Sequence, residues 1–197
     1  MNDTLNFAGL ATTPLELISF LLAITTVILN IRQLHWAWLF SIASSATYAV
    51  VFFDARLYGD MGLQFVFIAA SVWGWYQWLH GAAAQPLVVT RLKRAAWGWA
   101  IAGWALGYAL LAAFLDRFTD TDVPHADGFL TAGSLLGQLL LGRKKVENWI
   151  VWIVVDVLYV GLYVFKGLNL TAVLYALFVV LACIGLRAWS TIARRDA

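Results

Sequence analysis

Charge is what this chain of 197 residues has least of. Asp, Glu, Lys and Arg together make up 12% of it, against 62% hydrophobic residues and a mean hydropathy of +0.79. A soluble domain carries about a quarter charged residues, roughly twice this fraction, so a water-soluble fold is excluded. The single cysteine, Cys183, excludes an internal disulfide and sits in an apolar run, where it reads as a small buried or lipid-facing side chain. Histidine is scarce too: His35, His80 and His125 fall in loops or at span ends, so no base is available inside the membrane to activate Ser134. With no Cys/His metal spacing and no phosphate-binding glycine loop, no enzyme, metal or cofactor is expected. The basic residues are scattered over short loops, which excludes a nucleic-acid face. The polar segment from Met1 to Pro14 has no basic n-region and does not read as a cleavable signal peptide.

What the chain does have is long apolar runs. Hydropathy predicts seven spans, near residues 15–32, 36–53, 61–79, 96–115, 129–142, 148–165 and 169–188. The fifth is short, and Gly133 and Gly137 within it predict close helix approach. Ten of the 13 Lys and Arg residues follow the first, third, fifth and seventh spans, whereas Asp116, Asp120, Asp122 and Asp127 gather in one loop on the other side. The positive-inside bias therefore predicts a multi-pass protein with its N-terminus outside and its C-terminus in the cytoplasm.

Shifting the sequence by 111 residues without a gap lays spans one to three on spans five to seven. Arg32 meets Arg143, Trp38 meets Trp149, Tyr48 meets Tyr159, Gly74 meets Gly185 and Trp78 meets Trp189. Apolar matches are cheap in membrane segments; these are not. One span separates the two units, so the repeat is parallel, a 3+1+3 architecture with three-helix bundles over 15–79 and 129–188 and a linker helix over 96–115. Such repeats mark transporters, with the site near the midplane between the units. The linker's Trp97, Trp99, Gly103, Trp104 and Gly107 offer a surface for the two bundles or for another protomer of a homo-oligomer.

The sixth span carries the chemistry. Asp156 is the ninth of its eighteen residues, near the middle of the hydrocarbon, where a carboxylate costs about 3 kcal/mol and so faces a partner, a cavity or a substrate. Trp149, Trp152, Tyr159 and Tyr163 share its helix face at spacings of three and four. Aromatic rings beside one negative charge suit a flat organic cation, and interface belts or a structural hydrogen bond are the plain alternatives. Gln64 and Gln138 are amides inside spans three and five that either meet a substrate or tie two helices together. Asn148 and Glu147 are placed to cap the sixth helix, and Asn148 is also a candidate substrate contact. Trp73, Tyr76 and Tyr175 are further candidate pocket walls. The corresponding places in the first unit are held by Ser41 and Ser45, opposite Trp152 and Asp156. An asymmetric substrate needs such divergence and a symmetric ion does not, which leaves a channel behind a carrier.

The run Arg143-Lys144-Lys145-x-Glu147-Asn148-Trp149-x-x-Trp152, followed by Asp156, Leu162-Tyr163, Lys166-Gly167-Leu168, Thr171-Ala172 and Leu174-Tyr175, together with Trp73-x-Trp75-Tyr76-x-Trp78, resembles the PnuC family of bacterial vitamin transporters. The resemblance spans roughly residues 15 to 190. It implies an all-α membrane protein with a seven-helix, SWEET-like fold. It further implies uptake of nicotinamide riboside across the bacterial inner membrane by facilitated diffusion, the substrate being trapped by phosphorylation. The family also holds thiamine transporters and more divergent riboflavin transporters. Thiamine is a flat cation like nicotinamide riboside, so it stays open as the alternative, with a non-transporting membrane scaffold as the other class. Nicotinamide riboside members often carry an amide in the region where this chain has Asp156.

Overall fold

The computed structural model describes residues 5–7, 10–12, 14–54, 58–81, 86–119, 121–165 and 169–195. Its seven helices are α1 (Pro14–Ile31), α2 (Ala37–Asp54), α3 (Tyr58–His80), α4 (Arg94–Phe118), α5 (Pro124–Gly142), α6 (Asn148–Phe165) and α7 (Asn169–Arg195). They are the seven expected spans. Before α1 the described residues form a short antiparallel pair, β1 (Leu5–Phe7) and β2 (Leu10–Thr12), with Leu5 opposite Thr12.

Helix ends run beyond the hydropathy limits. α5 begins at Pro124, five residues before the expected start at 129, because proline suits the first helical position and lacks only an N–H that would be unpaired there. Thr121 Oγ1 donates to Asp127 Oδ2 at 2.6 Å and fixes that entry. α7 continues past 188 to Arg195, through basic residues that a helix tolerates once it has left the hydrocarbon.

The chain divides into two compact units, Met1–Leu79 and His80–Ala197. Within the first, α1 packs on α2; within the second, α4 packs on α5, α5 on α6 and α6 on α7. The internal repeat is visible in the detail of each unit. In the turn after α1, Gln33 N–H donates to Asn30 O at 3.0 Å and Leu34 N–H to Leu29 O at 3.0 Å. In the turn after α5, Lys144 N–H donates to Leu141 O and Lys145 N–H to Leu140 O, both at 2.9 Å. Both are Schellman closures, and the residue at the left-handed position is Gln33 (φ 56°) in one and Lys144 (φ 48°) in the other, where glycine is usual.

The tryptophans repeat as faithfully. Trp38 lies over Gly74 and meets Trp78 edge-on, with centroids 5.4 Å apart and planes at 90°. Trp149 lies over Gly185 and meets Trp189 at 5.5 Å and 89°. The indole N–H of Trp38 and that of Trp149 are both buried without an acceptor among the described residues. Local geometry this specific follows from the shared sequence pattern.

In the second unit the core is Leu130, Leu140, Val151 and Val155, with Trp104, Tyr159 and Leu162 packed against it. α5 is the most enclosed of this unit's helices: Gly128, Gly133, Ser134, Gly137 and Gln138 are all buried. Gly128 lets the backbone of Ala112 in α4 approach, and a Cβ there would stand 2.7 Å from its nitrogen. The outer surfaces are the reverse. Trp99, Leu110 and Phe118 of α4 and Phe165 of α6 are exposed, as is Cys183 of α7. An apolar exterior around a polar interior is the arrangement a bilayer demands. Three of the described helices, Arg94–Phe118, Asn148–Phe165 and Thr171–Arg195, are long and apolar enough to cross it on length and composition alone.

Candidate functional site

The α6 face predicted from spacing exists, but its members do different things. Trp149 is 2% exposed and belongs to the packing of α6 on α7: a Cβ on Gly185 would come within 2.6 Å of its ring. Asn148 is fully buried, and its Nδ2 donates to Lys145 O at 2.6 Å, while its Oδ1 has no partner among the described residues. The side-chain amide therefore braces the preceding turn by donation, where capping of α6 would need its oxygen to accept an N–H.

Glu147 also departs from the capping expectation. It is 4% exposed, and its Oε2 accepts the N–H of Leu92 at 2.9 Å. Beside it, Thr90 and Lys145 form a parallel bridge, with Thr90 N–H donating to Lys144 O at 3.1 Å and Val146 N–H to Thr90 O at 3.0 Å. Lys145 Nζ reaches Thr90 Oγ1 at 2.7 Å. The segment leading into α4 is thus fastened to the α5–α6 turn by Lys144, Lys145, Val146 and Glu147.

Further along α6 the face turns inward to a polar strip. Trp152 is half-buried, and its indole rests on Gly137 of α5. Asp156 is 4% exposed, and no described residue hydrogen-bonds or ion-pairs with it. A carboxylate so placed wants a positive or hydrogen-donating ligand. One turn on, the Tyr159 hydroxyl hydrogen-bonds Ser134 and lies within electrostatic reach of Asp156. The Tyr159, Tyr163 and Tyr175 rings form a closed trio, with centroids 4.6 Å apart for Tyr159–Tyr175, 5.1 Å for Tyr163–Tyr175 and 5.6 Å for the stacked Tyr159–Tyr163 pair. Gln138 is buried on α5.

The second unit therefore brings together Trp152, Asp156, Tyr159 and Tyr175 on α6 and α7, while Gln138 is buried on α5. Gln64 and Trp73 are half-buried on α3 of the first unit, and Tyr76 on the same helix is exposed. Ser41 and Ser71 share a hydrogen bond of 3.0 Å, and Ser19 donates to Thr47 at 2.8 Å, so these four hydroxyls of the first unit are paired with one another. Sequence reasoning missed Ser134 and Gly137 as neighbours of the stripe. Their spacing from Gly133 and Gln138 places all four along α5, which is the signal that was there to use.

A separate groove of about 780 Å³ lies between α4, α5 and α6, walled by Phe129, Leu158, Leu162 and Phe165. Its polar groups are Tyr108 and His125, which hydrogen-bond each other at 3.2 Å. None of the Trp152–Asp156–Tyr159 stripe lines it, and its apolar, open walls suit acyl chains better than a charged solute.

Seven helices with exposed apolar side chains on their outer faces, and spans long and apolar enough to cross a bilayer, define the class as a multi-pass membrane protein. The chain matches the family described as nicotinamide mononucleotide transporter over residues 13–191 and belongs to it. It is 28% identical over 186 residues to the riboflavin/roseoflavin transporter RibM of Streptomyces davaonensis, covering 92% of this chain and 87% of the relative. It is 24% identical to the nicotinamide riboside transporter PnuC of Escherichia coli, covering 80% and 77%. The crystal structure of the vitamin B3 transporter PnuC has the same fold, with a TM-score of 0.75 over 93% of this chain and 83% of that one at 23% identity. The chain is a vitamin transporter of the PnuC family.

Proposed function

We propose that this protein takes up nicotinamide riboside by facilitated diffusion with alternating access, the product being held in the cell by phosphorylation. The observation that carries the reading is Asp156, buried in the middle of α6 without a hydrogen-bond or ion-pair partner among the described residues and flanked on its own face by Trp152 and Tyr159. A flat pyridinium answers both needs, since the ring stacks on aromatic faces and the charge meets the carboxylate. Gln138 on α5 is the amide proposed to join this site, and Gln64, Trp73 and Tyr76 on α3 are candidate substrate contacts of the first unit taken by itself. In this mode of transport the site opens to one side of the membrane and then to the other. Only residues that contact the substrate unequally in the two states can drive that shift. The loop charges support an inner-membrane protein with the C-terminus in the cytoplasm.

A second reading has a specific basis. RibM, a riboflavin/roseoflavin transporter, aligns with this chain at 28% identity, and riboflavin is flat but neutral. Calorimetric titration of the purified protein with nicotinamide riboside, thiamine and riboflavin separates the candidates. Binding of nicotinamide riboside that is lost in Asp156→Ala supports the proposal. Thiamine or riboflavin binding alone would reassign the substrate, and binding of none would return the scaffold reading.

A further inference from the structure

The α6 stripe faces α5, and the α5 residues opposite it are small. A Cβ at Gly137 would stand 2.9 Å from Trp152 Cε2, 3.1 Å from its Nε1 and 3.2 Å from its Cζ2. The indole therefore lies against bare backbone, and the absence of a side chain at 137 sets where the ring rests. One turn earlier on α5, Ser134 is buried and its Oγ–H donates to Leu130 O at 2.9 Å. With its proton committed, the Ser134 oxygen is left as an acceptor for the Tyr159 hydroxyl, with which it hydrogen-bonds. Asp156 lies between Trp152 and Tyr159 along α6.

We propose that Gly137 and Ser134 are positioning residues that fix the Trp152 and Tyr159 rings on either side of Asp156 and so set the width of the slot a flat substrate enters. This rests on the reading of the stripe as the substrate site. The slot's aperture is then written on Gly137 and Ser134, which touch no substrate atom in this account. Off-rotamer placement of either ring loses stacking contact while leaving the carboxylate in place, so the defect is one of recognition.

The test is binding and uptake by the full-length protein in proteoliposomes, with nicotinamide riboside, or with riboflavin if that is what the wild type binds. Gly137→Ala is expected to raise the apparent KM about tenfold with Vmax within about twofold. In a Trp152→Ala background the same change is expected to add less than about twofold, because it acts through that ring. Gly161→Ala on α6, where a Cβ meets nothing within 4 Å, is the control. Should Gly137→Ala fail to fold, Ser134→Ala reads the same claim: KM rises, Ser134→Thr restores it, and Tyr159→Phe is non-additive with it. Additive effects, or variants at 134 and 137 that behave like Gly161→Ala, would overturn the proposal. If Trp152→Ala and Tyr159→Phe themselves bind substrate as the wild type does, the site reading falls; if they lose it while the α5 variants do not, only the positioning claim falls.

Discussion

The indole of Trp149 lies on Gly185, filling the space a Cβ would need, and Trp38 lies on Gly74 in the same way 111 positions earlier. In the second unit this contact joins α6 to α7 on the side of the basic motif. It is a packing contact, and it assigns Trp149 to holding the unit together.

Gly185→Ala should therefore destabilise the protein by about 1–3 kcal/mol, since ring and backbone cannot both stay in place. Gly161→Ala, with open space around it, should be neutral or stabilise by up to about 1 kcal/mol through helix propensity. Thermal unfolding in detergent, followed by tryptophan fluorescence, checks both. Equal melting temperatures for the two variants would contradict the packing role.

Gln33 holds a left-handed backbone at the end of α1, a conformation that costs a side chain about 1–2 kcal/mol. Gln33→Gly is expected to raise stability by up to about 1 kcal/mol, part of the gain being offset by the greater freedom of glycine in the unfolded chain. A shift of the melting temperature to higher values is the readout.

Glu147→Ala removes the acceptor for Leu92 N–H at a buried site and is expected to cost about 1–3 kcal/mol. Its more specific signature is local. Hydrogen exchange should accelerate at the amides of Thr90 and Leu92, which the α5–α6 turn now holds, while exchange within α6 changes little. Uniform acceleration along the chain would instead mark a global loss of stability.

The charge asymmetry of the loops gives a topological expectation. A fluorescent protein fused after Arg195 should fluoresce, and a periplasmic phosphatase reporter fused at Asp122, between α4 and α5, should be active. The opposite pattern would invert the direction in which the carrier is drawn.

Much of this was legible in the sequence because membranes simplify the problem. Apolar run length fixes the number of helices, and the offset of 111 shows the repeat in Trp38, Gly74 and Trp78 before any contact is known. The division of labour along α6 was not legible. Trp149 and Trp152 are both tryptophans on one helical face, and only the structure separates Trp149, buried against Gly185 of α7, from Trp152, half-buried against Gly137 of α5. Glu147 read as a cap because its partner, Leu92, lies 55 positions away in sequence. Ser134 and Gly137 were invisible as site residues because small residues within a span are first of all packing residues, and their second use depends on which ring lies opposite.

The central claim is that the Asp156 carboxylate selects a positive charge, and the most direct measurement isolates that charge. Affinity for nicotinamide riboside is compared with that for its neutral dihydropyridine form, which keeps the ribose and the carboxamide, in the wild type and in Asp156→Asn. A charge-assisted contact in a buried site is worth about 1.5–3 kcal/mol, so the wild type should favour the cation by roughly tenfold or more. Asp156→Asn should bring the two affinities close together. Equal affinities in the wild type, or a preference that survives in Asp156→Asn, would contradict the account.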